Sequence, residues 1–136
     1  MEPILHLSMP VTDLAAARDF YVDVLGCSLG RVRDGWLDVW FFGMQVTLQE
    51  RPDEVLSAEQ VGTRHFGAAL GIEDLQAIIA RVEAAGVDWV HPLTTDFAGS
   101  PQEQTKAKLR DPSGNVVELK AYADREVALE QLGLPT

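Results

Sequence analysis

The chain lacks several features that would narrow its class. It contains one cysteine, Cys27, so no intrachain disulfide can form, and this favours a reducing compartment. Its 21 acidic residues outnumber its 11 Lys and Arg, and a net charge of -10 argues against nucleic-acid binding, which needs clustered cations. No apolar run reaches the roughly 18 residues of a membrane span, and no signal peptide is apparent. We therefore expect a cytoplasmic protein without a membrane or nucleic-acid partner.

What the chain does contain suits one domain, or two very small halves that share a core. Its 136 residues are 46% hydrophobic, which is enough for such a core. A helix is predicted from Thr12 and Asp13 to Gly26. The hairpin signal Asp34-Gly35 joins the next two strands. Strands are predicted over residues 4–10, 27–33, 36–42 and 44–50.

The same order of elements returns after a polar connector. A helix over residues 73–85 ends at Gly86, and the turn 111–114 joins the last two strands. The strands of this half are predicted over 65–71, 87–90, 105–110 and 116–121. The segment 92–104 is too long for a simple hairpin and is either a cavity cover or a surface excursion. A short helix is predicted over 124–132.

The repeat predicts a single α+β domain of two βαβββ modules. Module one covers about 1–50, the connector about 51–64, module two about 65–122 and a C-terminal tail 123–136. His6 and His65 open the first strand of each half. Aligning Gly43 with Gly114 brings Thr47 opposite Glu118, so the last strands carry different chemistry at one position.

Glu118 lies in an apolar strand, between Val117 and Leu119. Because side chains alternate along a strand, its carboxylate faces away from those two, toward whatever the sheet encloses. A buried, unpaired carboxylate is costly and needs a cation. Taken singly, a strand His is often structural and a strand Glu is often solvated. Together, His6, His65 and Glu118 predict a metal site of two imidazoles and one carboxylate, which suits Fe(II) or Mn(II), with Zn(II), Ni(II) or Co(II) possible.

Other candidates surround this predicted site. Trp36 and Trp40 share a strand face with Asp38, and that face is either a cavity wall or, as we favour, a core layer. Gln45 and Gln49 share the face of Thr47 and either line the cavity or are exposed. Lys106, Lys108 and Arg110 share a face that is either a cationic wall or, as we favour, a solvated sheet edge. His91 is expected at the surface. The substrate-binding candidates are Trp36, Trp40, Thr47 and Gln49, and the catalytic candidate is Lys108.

Three segments carry a resemblance to a known family. They are HLSMPVTDL at residues 6–14, EAAGV at 83–87 and LRDPSGNVVE at 109–118, of which the last is the most specific. With these segments the chain resembles the vicinal oxygen chelate superfamily of glyoxalases, bleomycin-resistance proteins and extradiol dioxygenases over nearly its whole length. The resemblance implies curved mixed sheets around a metal cavity and a homodimer. It also implies that His6 could join His65 and Glu118 from a different subunit.

Departures from the subfamilies limit the functional prediction. Glyoxalase I enzymes have a fourth, carboxylate ligand where this chain has Thr47. Dioxygenases and fosfomycin transferases tend to have a Tyr where this chain has Lys108. The leading hypothesis is a metal-dependent enzyme with a dioxygenase-like site for a small oxygen-rich substrate, which could be anionic. One alternative is a drug- or metabolite-sequestering protein of the bleomycin-resistance type, and another is a metal that only holds a dimer together.

Overall fold

The computed structural model describes residues 1–133, which form two four-stranded sheets with their helices. In module one the chain runs through β1, a helix α1 that continues into a π-helical segment, and three further strands. Asp13 starts α1, since its side-chain Oδ1 accepts a 2.7 Å hydrogen bond from the Ala16 amide. The bounds are β1 Leu5–Val11, α1 Leu14–Arg18, the π-helical segment Asp19–Val24, β2 Ser28–Arg33, β3 Trp36–Phe41 and β4 Met44–Glu50.

Module two repeats this order after a connector that is partly helical. The connector contains a 3₁₀ turn, Pro52–Glu54, and a short helix α2, Ala58–Val61, which the sequence did not predict. The module itself consists of β5 Phe66–Ala69, α3 Ile72–Ala84, β6 Trp89–Asp96, β7 Gln104–Arg110 and β8 Val116–Tyr122. A final helix α4, Arg125–Gln131, confirms the predicted C-terminal helix.

Both sheets have the same topology. Their strand orders are β1-β4-β3-β2 and β5-β8-β7-β6. The first strand of each module pairs in parallel with the last, and the other pairs are antiparallel. The parallel pairing follows from the helical crossover that separates the first strand from the rest. The predicted α+β fold of two βαβββ modules is confirmed.

One hydrophobic core joins the two modules. The helix α3 buries Leu75, Ile78 and Val82, three of the four positions at which apolar residues recur at helical spacing, and the fourth, Ile79, is half-buried. In β8, Val117 and Leu119 are buried in the same cluster as residues of module one. Because side chains alternate, the residues between them face the other side of the sheet, where the polar groups lie.

The two modules are also joined by a buried polar turn at residues 111–115. The Tyr21 hydroxyl donates a 2.7 Å hydrogen bond to Asp111 Oδ2. The backbone amides of Ser113 and Asn115 donate to Asp111 Oδ1, and the Thr12 amide donates to Ser113 Oγ at 2.8 Å. Burial raises the pKa of Asp111 although its hydrogen bonds oppose the shift. Burial, followed by the charge of Asp111, raises the pKa of Tyr21 well above its usual value.

Three expectations from the sequence need correction. The strand β6 extends to Asp96, so the first part of the predicted loop over 92–104 is strand. His65 lies immediately before β5 and not within it. The strand β7 pairs with both β6 and β8, so Lys106 and Lys108 do not lie on a sheet edge. Among residues 1–133, no helix is long and apolar enough to cross a membrane.

Candidate functional site

The pairing of strands gives corresponding residues of the two modules equivalent positions on their sheets. Two residues beyond His6, Ser8 pairs with Thr47 in the parallel β1–β4 ladder. Two residues beyond His65, Gly67 pairs with Glu118 in the equivalent β5–β8 ladder. Thr47 and Glu118 therefore occupy equivalent places, as the glycine alignment predicted. Asp38, which pairs with Thr47, is likewise equivalent to Lys108, which pairs with Glu118.

On the second sheet, His65 and Glu118 are in direct contact. His65 Nε2 lies 3.1 Å from Glu118 Oε2, and the Glu118 side chain is only 14% exposed. The other ring nitrogen of His65, Nδ1, lies 2.8 Å from the Thr63 carbonyl oxygen. A carbonyl oxygen can only accept, so Nδ1 carries a hydrogen and donates it. With Nδ1 engaged in this way, Nε2 is the nitrogen that faces the carboxylate.

Two groups with facing lone pairs are stable only when positive charge lies between them. A proton on Nε2 would make an ion pair of the two residues. A divalent ion would serve equally, because neutral imidazole and carboxylate are both metal ligands. The hydrogen bond from Nδ1 to Thr63 is the kind of outer contact that orients a ligating histidine. The pair therefore has the donor atoms and the orientation that a metal requires.

Gly67 allows β8, the strand that contains Glu118, to approach β5 closely. A Cβ at Gly67 would overlap the carbonyl oxygen of Glu118, which belongs to the neighbouring backbone and cannot swing away as a side-chain end can. Glycine is thus required by the close approach of two strands. The same contact fixes the position of Glu118 beside the start of β5.

Lysines share the face of Glu118. Lys108 pairs directly with Glu118 across β7 and β8, so the two side chains project from the same side of the sheet. Within residues 1–133 the Lys108 ammonium makes no hydrogen bond or ion pair. Lys106 contacts Asp96 at 2.9 Å, and the pKa of Lys106 is raised by that hydrogen bond and by the charges of Asp96 and Glu118.

On the first sheet, Asp38 is a buried carboxylate with several donors. It is 4% exposed. Thr47 Oγ1 donates to its Oδ1 at 2.6 Å, while Arg31 Nε at 2.6 Å and Gln45 Nε2 at 3.3 Å donate to its Oδ2. Burial acts to raise the pKa of Asp38, but the hydrogen bonds from Thr47, Arg31 and Gln45 and the charge of Arg31 outweigh it and lower the pKa. Thr47 therefore uses its hydroxyl hydrogen within the sheet.

This face forms an open groove of about 400 Å³. Its lining includes the predicted substrate-binding residues Trp36, Thr47 and Gln49. The core position favoured for Trp36 is therefore wrong, since its side chain lines the groove. Trp40 lies on the same strand face and is 47% exposed, so it is not a core residue either. The groove is lined by His6, Arg31, Trp36, Gln45, Thr47 and Gln49.

The structure brings together only two of the three predicted metal ligands within one chain. His65 and Glu118 line one pocket, whereas His6 lines the groove of the other sheet. Across the described residues, no three His, Cys, Asp or Glu side chains form a cluster that could hold a metal. A three-ligand site would thus need a second copy of the chain.

The Arg31–Asp38 pair was missed from the sequence, although a signal for it was present. A regular hairpin about Asp34-Gly35 sets Arg31 opposite Asp38, because Arg33 pairs with Trp36. A register shift between Leu29 and Val32 makes this a bulge. His91 is exposed, as expected.

Known proteins resemble this chain in sequence and in fold. A sequence profile of the glyoxalase/bleomycin resistance protein/dioxygenase superfamily matches residues 3–119. A glyoxalase/bleomycin resistance protein/dioxygenase from Alicyclobacillus acidocaldarius has 31% identity and a TM-score of 0.73, with 91% of this chain and 94% of that chain covered. No curated protein sequence matches significantly.

Two more distant structures share the fold. The fosfomycin resistance protein FosX from Listeria monocytogenes has 16% identity and a TM-score of 0.72, over 89% of this chain and 93% of that one. Lactoylglutathione lyase from Agrobacterium tumefaciens has 20% identity and a TM-score of 0.61, over 89% and 94%.

Proposed function

Because the chain belongs to the glyoxalase/bleomycin resistance protein/dioxygenase superfamily, we propose that it is a metal-dependent enzyme acting on a small oxygen-rich substrate. Members of this superfamily bind small-molecule substrates and commonly use divalent metals. A cytoplasmic location stays a prediction. The proposal concerns which residues hold the metal and what the surrounding groups do.

The observation that carries the proposal is the contact between His65 and Glu118. The Thr63 carbonyl orients the His65 ring through Nδ1, and the Glu118 carboxylate, only 14% exposed, lies 3.1 Å from Nε2. An imidazole nitrogen and a carboxylate oxygen oriented in this way supply two of the three ligands of a two-His-one-Glu site.

His6 of a second copy supplies the third ligand in this proposal, and the protein acts as a homodimer. His6 is exposed on the first sheet, as His65 is on the second, so each chain presents half a site. A closed pair of chains would contain two such sites, each with His6 from one chain and His65 and Glu118 from its partner. Exposed apolar side chains near His6, Ile4 and Leu5, are available for contact in such a dimer.

The residues around the site define what chemistry is available. A bound divalent ion would act as a Lewis acid toward substrate oxygens, with Fe(II) or Mn(II) favoured and Zn(II) or Ni(II) possible. Lys108 adds a cation on the face of Glu118, which could hold an oxyanion or donate a proton. Thr47 has its hydroxyl hydrogen committed to Asp38 and is neutral. An acid/base carboxylate is thus missing where glyoxalase I enzymes have one, which favours a dioxygenase-like site.

Metal content tests the proposal directly. The purified protein is stripped with a chelator, reconstituted separately with Fe(II), Mn(II), Zn(II) and Ni(II), and its bound metal measured after gel filtration. We expect about one ion per chain for at least one metal, and none for His65→Ala. Glu59→Ala is the control, because Glu59 is an exposed carboxylate of the connector helix α2 and lies on neither sheet. Equal metal contents for wild type and His65→Ala would contradict the proposal.

The groove beside Trp36 supports one alternative, a protein that sequesters a drug or metabolite without catalysis. Trp36 lines an open groove of about 400 Å³, a volume typical of small-molecule sites. Ligand binding that quenches tryptophan fluorescence equally before and after chelation would favour this alternative. Binding that is lost on chelation would favour the enzyme.

A further inference from the structure

Arg31 is held in one orientation by two contacts. Its Nε donates a 2.6 Å hydrogen bond to Asp38 Oδ2, and its guanidinium carbon lies 5.0 Å from the ring centroid of Trp36. A charge-assisted hydrogen bond and a cation–π contact together fix both the direction and the plane of the guanidinium. The position is built further by Gly30, where a Cβ would lie 3.1 Å from Asp38 Cβ and crowd the carboxylate.

The free side of the guanidinium faces the groove. A guanidinium has five N–H donors, and only the one on Nε is used by Asp38. Among the described residues, neither Nη nitrogen of Arg31 donates to a protein acceptor. The two Nη groups form the planar fork that binds carboxylates and phosphates with two parallel hydrogen bonds.

The rest of the groove does not oppose an anion. Besides Arg31, its lining consists of His6, one hydroxyl, two amides and the Trp36 ring. The nearest carboxylate, Asp38, is buried and already receives three hydrogen bonds. Although the chain has a net charge of -10, the groove lining presents the unused Nη groups of Arg31 and no unpaired carboxylate.

We propose that Arg31 is the anchor of an oxyanion subsite, which takes a carboxylate or phosphate group of the ligand. The inference deepens the proposed function, because an anion held by Arg31 lies in the same groove as His6, so that the other end of the ligand can reach the metal. The substrate class is then a small molecule with metal-chelating oxygens at one end and an oxyanion at the other.

The test uses protein freed of metal, so that it does not depend on the metal site. Sodium acetate and inorganic phosphate are titrated at constant ionic strength, with sodium chloride as the blank, while the arginine Nε–H signals are followed by NMR. Arg31 is assigned from its proximity to the Trp36 ring. We expect its signal to shift saturably with one or both anions, and the better probe identifies the anion class.

Arg31→Lys keeps the charge but loses the fork. Anion binding to this variant is followed through the indole N–H signal of Trp36, which lies beside Arg31 and is present in both proteins, and we expect binding to weaken about tenfold. Arg33→Lys is the matched control, because Arg33 is an exposed arginine of the same strand, and we expect unchanged binding. An Arg31 signal that neither anion moves, or equal weakening in both variants, would overturn the subsite. Metal content measured on the wild type separates the two proposals: if anions bind Arg31 in a protein that takes up no metal, only the proposed function fails.

Discussion

The two sheets share a topology, but the carboxylates on their polar faces, Asp38 and Glu118, have opposite surroundings. On the first sheet, Asp38 is buried and receives hydrogen bonds from three side chains of its own module. On the second, Glu118 lies 3.1 Å from His65 Nε2 and has a lysine as its cross-strand neighbour. The first carboxylate is satisfied internally, whereas the second still needs positive charge.

In the proposed metal site the two sheets would have different parts. Asp38 orients Arg31 and engages Thr47, so the first sheet presents a groove and an exposed imidazole, His6. The second sheet presents the pair His65 and Glu118. The proposal is that two copies of the chain join these unlike faces.

The largest expected effect is a difference in metal affinity between variants of the two carboxylates, Glu118 and Asp38. Glu118→Gln removes a ligand charge, so we expect metal binding to weaken by more than about 100-fold, since losing even an outer contact to a ligand costs about 10- to 100-fold. Asp38→Asn leaves the donor pair intact and should bind metal as wild type does. Competition with a chelator of known affinity measures both. Equal losses in the two variants would remove the distinction.

The next expected effect compares Gly67 and Gly30, the glycines that lie against the residues Glu118 and Asp38. Gly67→Ala places a Cβ against the Glu118 backbone carbonyl, and we expect about 3 kcal/mol of destabilisation because a strand must move. Gly30→Ala is the matched control. Its Cβ would meet Asp38 at 3.1 Å, where a shift of a few tenths of an ångström is enough, so its cost should be smaller. Urea denaturation followed by circular dichroism measures both, and a larger cost for Gly30→Ala would contradict the geometry.

The Asp38 cluster should make stability depend on pH. Asn in place of Asp38 directs an N–H group at Arg31 or Thr47, and we expect a loss of about 2 kcal/mol near neutral pH. The pKa of Asp38 is lowered by folding, so its contribution is present above the unfolded pKa and is lost as pH falls through the folded pKa. Urea denaturation from about pH 7 to about pH 3 should show the wild-type advantage over Asp38→Asn shrinking. A constant difference would contradict the ionised cluster.

The smallest expected effect concerns the hydrogen bond between Tyr21 and Asp111, which joins the two modules. Tyr21→Phe removes one donor to the buried Asp111, and we expect about 1 kcal/mol of destabilisation with unchanged metal affinity. Tyr122→Phe is the control, since the cation–π contact of its ring with Lys120 needs no hydroxyl. Thermal denaturation and the chelator competition measure the two properties. A change in metal affinity would mean that the turn positions one sheet face and does not simply join the modules.

Periodicity and the internal repeat were enough to predict much of the fold. The order of strands and helices along the chain, the direction of Glu118 away from Val117 and Leu119, and the equivalence of Thr47 with Glu118 all depend on local pattern, and all agree with the structure. The segment 109–118, the most specific part of the resemblance, contains the turn that docks one module on the other through Asp111. Its strong pattern therefore reflects architecture as well as the predicted ligand Glu118.

The features that the sequence could not predict depend on contacts between strands. The burial of Asp38 in place of its tryptophan neighbours depends on the bulge opposite it and on donors from β2 and β4, which no single-strand pattern contains. The interior position of β7 depends on strand order, so Lys106 and Lys108 looked like edge residues. His6 and His65 line different pockets of one chain, which depends on how the two sheets pack and not on any local pattern.

The most direct test of a shared metal site is complementation between two defective variants. His6→Ala and Glu118→Ala are each purified, shown to lack bound metal, mixed under conditions that exchange subunits, and assayed for bound metal. If ligands come from two chains, each mixed dimer contains one intact site, because one chain still has His6 and its partner still has His65 and Glu118. We predict that metal binding returns on mixing. A mixture that exchanges subunits and still binds no metal would contradict the account.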